Sequence, residues 1–192
     1  EDRFAGKRAT YITSNTLQMV FFLAASAHFG KDEYDMEAGF KAMKAANPVK
    51  LSDFTGNMQT LVERGEVEIG VQWEGEVYLQ MDKGIPVAPI IWEHKKPMLT
   101  QTHTVSKYAE PMAKKLALAY VNNKLDANFM NGAGETFYLR PTINDAVIPD
   151  LLASKGVTND ASGMDDLWTP DWNWYLDNED DIVETCNEIF SS

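Results

Sequence analysis

Within the first 83 residues one order of residue types comes three times: a short run of β-formers, a small polar turn, and a stretch patterned as a helix. Gly6-Lys-Arg-Ala-Thr-Tyr-Ile-Thr13 is followed by Ser14-Asn15-Thr16 and by apolar residues from Leu17 to Phe29, stopping at Gly30. Val49-Lys50-Leu51 leads through Ser52-Asp-Phe-Thr-Gly-Asn57 to a helical pattern from Met58 to Arg64, stopping at Gly65. Glu66-Val-Glu-Ile-Gly-Val-Gln-Trp73 alternates as a strand does, and Glu74 to Lys83 reads as helix. A further helix is expected from Met36 to Ala46, closed by Asn47-Pro48, and an edge or crossing strand from Ile85 to Trp92, where two prolines interrupt an apolar run. Parallel strands need crossover helices, so this βαβαβαβ order predicts an α/β sheet.

Beyond that point the texture becomes helical and connective. Met98 to Val105 is a Thr-rich extended stretch, and Pro111 to Asn123 an amphipathic helix with Met112, Leu116, Ala119 and Tyr120 on one face. Ala127 to Gly134 reads as a short helix, Tyr138 to Asn144 as a loop, Val147 to Ser154 as a helix, and Asp160 to Asn178 as an acidic loop carrying Trp168, Trp172 and Trp174. A last helix is expected from about Asp180 to Phe190. The formal net charge of −12 is concentrated here, because Asp160 to Ser192 holds ten acids and no base. Such a balance argues against a nucleic-acid or anionic-membrane partner, either of which calls for clustered Lys and Arg. A solvated, solubilising face is the expected role of the tail.

Cys186 is the single cysteine, so no disulfide forms within the chain and the fold must rest on its core. The longest apolar run, Met19 to Ala25, falls well short of the about 20 residues of a membrane span. Enzymatic signatures are lacking: the sequence has no G-x-S-x-G, no Walker loop and no G-x-G-x-x-G. Cys186 lies among acids that would raise its pKa, and His28, His94 and His103 are scattered singly, so neither a thiol nucleophile, a metal site nor a cofactor is expected. Glu74 and Glu76 open a helix, where their charge complements the helix N-terminus. Binding is better supported: Ser14-Asn15-Thr16 and Thr55-Gly56-Asn57 precede helices whose free N–H groups suit a polar or anionic group. Trp73 ends a strand, the position where α/β sheets hold ligands, and is either a core plug or a ligand platform.

Together these residues resemble the second half of the type II periplasmic solute-binding proteins of ABC transporters, in the spermidine/putrescine-receptor subgroup. The most specific stretch is Gly56-Asn-Met-Gln-Thr-Leu-Val-Glu-Arg-Gly-Glu-Val-Glu-Ile-Gly-Val-Gln-Trp-Glu-Gly75, followed by Gly84-Ile-Pro-Val-Ala-Pro-Ile-Ile-Trp-Glu93 and a helix beginning near Ala109-Glu-Pro-Met-Ala. The resemblance implies a type II lobe, a mixed β-sheet flanked by helices and an incomplete second lobe. It implies no enzymatic chemistry, but the binding of a small solute between lobes and its delivery to a membrane permease, in the periplasm or outside the cell. By resemblance Trp73 packs on the aliphatic part of the solute, Glu76 pairs with an amine, Tyr138 faces the ligand, and Ser14 and Asn15 add polar contacts. Glu74 and Thr55 complete the expected set on that lobe.

Two departures bear on the solute. Gln101 stands where polyamine receptors carry a hinge aspartate, and Ser14 where spermidine-type sites carry a carboxylate. A solute with one cationic end, or a polar neutral or zwitterionic one, is therefore expected over a long polyamine, and the lack of an adjacent tyrosine pair disfavours ferric iron. The resemblance divides the chain into 1–95, the second lobe; 96–137, the hinge strand and helices returning to the first lobe; and 138–192, C-terminal helices packing on the second. Relative to a complete member, on the order of a hundred residues are lacking at the start. A fragment, or self-association through the apolar face of 111–123, is the corresponding expectation. An enzyme on a related fold using Glu74 or Glu76 as base, and a ligand-sensing regulatory domain, are the alternatives.

Overall fold

A computed structural model describes residues 2–90, 96–165 and 167–191. They fall into two compact units, the first made of 1–97 and 168–192, the second of 98–167.

The first unit is built on a three-stranded parallel sheet in the order β2-β1-β3, with β1 at Arg8–Tyr11, β2 at Lys50–Ser52 and β3 at Ile69–Gly70. Ala9 pairs with Lys50 on one side and Gly70 on the other. Each strand runs into a helix: β1 into α1 (Thr16–Phe29), β2 into α3 (Thr55–Glu63), β3 into α4 (Glu74–Asp82); α2 (Met36–Ala46) follows α1. The α/β architecture expected from the repeated order is thus present. Asn15 caps α1, its side chain accepting from Leu17 N–H at 2.9 Å, and Asp35 caps α2, accepting from Ala38 N–H at 3.1 Å.

Two expected strands differ. The alternation at 66–73 predicts a long strand, but only Ile69–Gly70 pair. The Glu66 and Val67 N–H groups turn back instead to the Leu61 carbonyl, at 2.9 and 3.3 Å, because Gly65 closes the helix at φ +68°. The strand expected at 85–92 is irregular over 85–90, where Pro86 and Pro89 have no N–H to give a ladder; Ile91 and Trp92 lie outside the described residues.

Ala9, Tyr11, Met58 and Val67 form a small core between sheet and α3, with Leu17, Leu61, Val62 and Val71 packed against it. A larger core joins α1 and α2 to two helices of the acidic tail, α8 (Trp172–Asp177) and α9 (Glu179–Ser191). Phe22, Leu23, Ala25 and Met43 meet Tyr175, Ile182 and Cys186 there. Gly39 is what lets α2 approach α1, since a Cβ on it would come within 2.7 Å of the Phe22 ring and closer still to Ser26 Oγ. The tail is therefore more than a solubilising surface. Its loop expected at 160–178 contains α8, which Asp171 caps by accepting from Trp174 N–H at 3.0 Å. In α9 the acids Asp180, Asp181, Glu184 and Glu188 stay exposed while Ile182 and Cys186 are buried. The chain leaves this unit through β4 (Lys96–Pro97) and re-enters at β5 (Leu167–Trp168), and those two short strands pair.

The second unit contains α5 (Pro111–Asn123), α6 (Ala127–Phe137) and α7 (Asp150–Ser154). No residue of α5 is buried, and the face carrying Met112, Leu116 and Tyr120 is 60–67% exposed. Among the described residues of this unit, the buried ones are Gly134, Tyr138, Ala146, Leu152 and Val157. Asn131 Oδ1 accepts from Val147 N–H at 2.7 Å, and Asn159 Nδ2 donates to the Asn144 and Ala146 carbonyls at 2.7 and 2.6 Å. Tyr138 ends α6 in the left-handed region, φ +51°, with its N–H on the Gly134 carbonyl at 3.0 Å. Among the described residues no helix is long and apolar enough to cross a membrane, and no group of three metal-ligating side chains is gathered.

Candidate functional site

Because β1, β2 and β3 are parallel, their carboxyl ends open on one edge, and α1, α3 and α4 all begin there with their N–H groups facing it. The three turns are tied together. Asn15 Nδ2 donates to the Asp53 carbonyl at 3.2 Å, joining the β1 and β2 turns, and Asn57 Nδ2 binds the Asp53 carboxylate. On the β3 side, buried Gln80 of α4 accepts from Gln72 Nε2 at 2.9 Å and donates to the Gln59 carbonyl of α3 at 3.3 Å. That amide holds the residue preceding Trp73 in register with two helices.

Six of the expected site residues come to this edge. Ser14 is exposed in the first turn, Asn15 caps α1, Thr55 opens α3, and Trp73 stands immediately before Glu74 at the start of α4. Trp73, Thr55 and Glu74 are half-buried, whereas Glu76 is only 9% exposed. Glu74 and Glu76 therefore part company on the helix, as alternate residues do. Gln101 and Tyr138 belong to the second unit, the first exposed in an irregular stretch and the second buried at the end of α6.

Glu76 is the electrostatic centre. Burial pushes its carboxyl above the usual glutamate range, against a hydrogen bond from the Trp73 side chain and the charge of Lys83, which lower it. Its Oε2 is buried without a hydrogen-bond partner. Lys83 is shared with Glu63 of α3, 3.9 Å away, so its help is divided. Tyr11, the last residue of β1, was not among the expected site residues. Its hydroxyl is buried and has no hydrogen bond of good geometry. Burial pushes its pKa up to about 12, with Thr55 opposing and the charge of Glu76 adding to the rise. Strand position was the available signal: Tyr11 ends a β-run at the edge where ligands bind in parallel sheets.

The three turns carry charge of one sign. Residues 12–17, 53–58 and 71–77, which make the three turns and first helical turns, include Asp53, Glu74 and Glu76 and no Lys, Arg or His. Three helix N-termini alone suit an anion, but a lip with three carboxylates and no base opposes one. Carboxylates in such a place can accept hydrogen bonds, and a cation suits their charge better than an anion does.

No family model matches the chain, and no curated protein matches it. Solved structures share the fold, two of them over nearly the whole of this chain. One, described as an extracellular solute-binding protein from Bordetella parapertussis, has a TM-score of 0.74 at 15% identity, over 97% of this chain and 57% of its own. Another, described as an ABC transporter from Clostridium perfringens, has a TM-score of 0.73 at 17% identity, over 99% of this chain and 60% of its own. The chain thus spans less than two thirds of the length of either. Over nearly all of its own length, it has the mixed α/β fold found in solute-binding proteins.

Proposed function

We propose that the chain is the solute-binding part of an ABC importer, working in the periplasm or outside the cell and delivering a small amine-bearing or polar solute to a membrane permease. The observation that carries this reading is Glu76, a buried carboxylate with an unpartnered oxygen, beside Trp73 at an edge whose turns carry acids and no base. An ammonium group satisfies such a carboxylate by a charge-assisted hydrogen bond, while its alkyl part lies on the indole. Ser14, Asn15 and Thr55 supply polar contacts and Glu74 further negative charge. Since Ser14 carries no charge and Glu76 is the buried carboxylate of the edge, one cationic end is favoured over a long polyamine. The function is binding without turnover, and the fold likeness to transport proteins supports it.

A thermal-shift screen against amines, amino acids, betaines and oxyanions tests the reading. A ligand at a hundredfold its Kd stabilises by about 2.7 kcal/mol. The shift is expected with an amine-bearing compound and without any consumption of it, and it is expected to be lost in Trp73→Ala and Glu76→Gln. An undiminished shift in both variants overturns the site; stabilisation by oxyanions alone overturns the solute class.

A further inference from the structure

Phe54, between β2 and the first residue of α3, is 56% exposed although its backbone is firmly held. Its N–H donates to Asp53 Oδ1 at 2.9 Å, and its carbonyl accepts from Ser52 Oγ at 2.9 Å and from the Asn57 and Met58 N–H groups at 3.1 and 3.3 Å. The ring lies against the first turn of α3: a Cβ on Gly56 would come within 2.7 Å of Phe54 Cε2 and 3.4 Å of Cζ, so the glycine is its seat. That end of α3 faces the candidate edge. β2 and β3 both pair with β1, which sets their ends two strand spacings apart, about 10 Å. Phe54 comes four residues after Lys50 and Trp73 three after Gly70, the two partners of Ala9, so both leave the sheet at nearly the same level. The two sides differ in polarity. Asp53, beside Phe54, already takes the Phe54 N–H and Asn57 Nδ2 on its carboxylate, whereas Glu76 Oε2 on the Trp73 side has no partner.

We propose that Phe54 is a specificity-determining residue, seating the apolar end of a solute whose amine is held at Glu76, so that the edge takes a monoamine with an aryl or alkyl body reaching about 10 Å. This rests on the amine-binding reading above. An exposed phenyl ring is withdrawn from water when an apolar group covers it, and a ring already resting on a fixed backbone gives up little freedom in the process. A second ammonium group gains less there, because the carboxylate on that side is engaged within the protein. The polarity of the edge thus sets the orientation of the solute, charged end toward α4 and apolar end toward α3.

Calorimetry with n-butylamine, 4-phenylbutylamine and 1,4-diaminobutane tests this on the full chain, as wild type, Phe54→Ala and Gly56→Ala. The wild type is expected to bind 4-phenylbutylamine at least about tenfold more tightly than n-butylamine, and in Phe54→Ala that ratio is expected to fall toward one. Gly56→Ala keeps the ring but displaces it from its seat, while alanine favours the helix. There the ratio is expected to fall severalfold with no loss of melting temperature, a combination that damage to the fold does not give. A wild-type ratio kept in Phe54→Ala, or in Gly56→Ala should Phe54→Ala fail to fold, overturns the role of Phe54 and leaves amine binding standing. A wild type that prefers 1,4-diaminobutane to 4-phenylbutylamine overturns the apolar seat. Binding of none of the three amines overturns the amine reading, and the seat with it.

Discussion

Glu76 is where stability and the proposed binding pull apart. A carboxyl whose folded pKa lies above its ordinary value binds protons more strongly in the native state than in the unfolded one. Its stabilising contribution is therefore complete below the ordinary glutamate range and is lost as pH rises through the raised value. Once ionised, this side chain is a desolvated charge with one oxygen unpartnered. Glu76→Gln removes that charge in a nearly isosteric side chain. It is expected to stabilise the ligand-free protein at pH 7 by about 1 kcal/mol, seen as a melting temperature roughly 2–4 °C higher, and to flatten part of the decline in stability as pH rises above the ordinary glutamate range. Circular-dichroism melts across that range check both. A variant less stable than wild type at pH 7 would mean that Glu76 has a native partner and is a structural residue. Glu33, raised chiefly by its own burial, contributes a decline of the same sign that this substitution leaves in place.

At the scale of elements, the Gln80 amide connects α3, α4 and the turn before Trp73 through two hydrogen bonds, one of 2.9 Å and one of 3.3 Å. Gln80→Leu keeps the volume and strands the Gln59 carbonyl and Gln72 amide. The expected loss is about 1–3 kcal/mol, together with a shift of Trp73 fluorescence and weaker solute binding. Loss of stability with unchanged fluorescence and binding would assign Gln80 to packing alone. How far such elements could be read beforehand depended on how local their causes are. The bounds of α2 follow from Asp35 before it and Asn47-Pro48 after it, and α5 begins at Pro111; both helices form where the residue pattern places them. β3 was legible in position but not in length, because its N-terminal half is claimed by the Leu61 carbonyl, a partner that alternation does not reveal. The tail misled for another reason. Asp180, Asp181, Glu184 and Glu188 occupy the outer side of a segment whose inner side, Tyr175, Ile182 and Cys186, closes a core begun about 150 residues earlier. At the candidate edge, Trp73 and Glu76 stand out by residue type, while Tyr11 is distinguished only by the burial of its hydroxyl, which exists once β1 is packed into the fold.

On the scale of the whole molecule, the first unit is discontinuous in sequence yet complete in its packing. Among the described residues, both of its cores are drawn from 9–71 and 168–190. The excursion also begins and ends at one place, since Lys96–Pro97 and Leu167–Trp168 are paired strands, and paired strands lie about 4.8 Å apart. A Gly-Ser linker of about four residues, reaching up to ~13 Å, is therefore long enough to join Pro97 to Trp168 without strain. The shortened chain is expected to fold by itself, giving a single cooperative melt and a near-UV circular-dichroism signal from Trp168, Trp172 and Trp174 packed beside α1 and α2. A chain ending at Leu167 keeps the sheet, but it lacks Tyr175, Ile182 and Cys186, and exposes Phe22, Leu23 and Met43 on the inner faces of α1 and α2. Burying a side chain of that kind is worth about 1.5–3 kcal/mol each, a sum comparable to the whole stability of a domain. That truncation is expected to show helical far-UV signal without a near-UV one, and to bind hydrophobic dyes. If the truncated chain melts cooperatively and the linked one does not, the acidic tail is dispensable to the first unit, and the 98–167 segment supplies what holds it together.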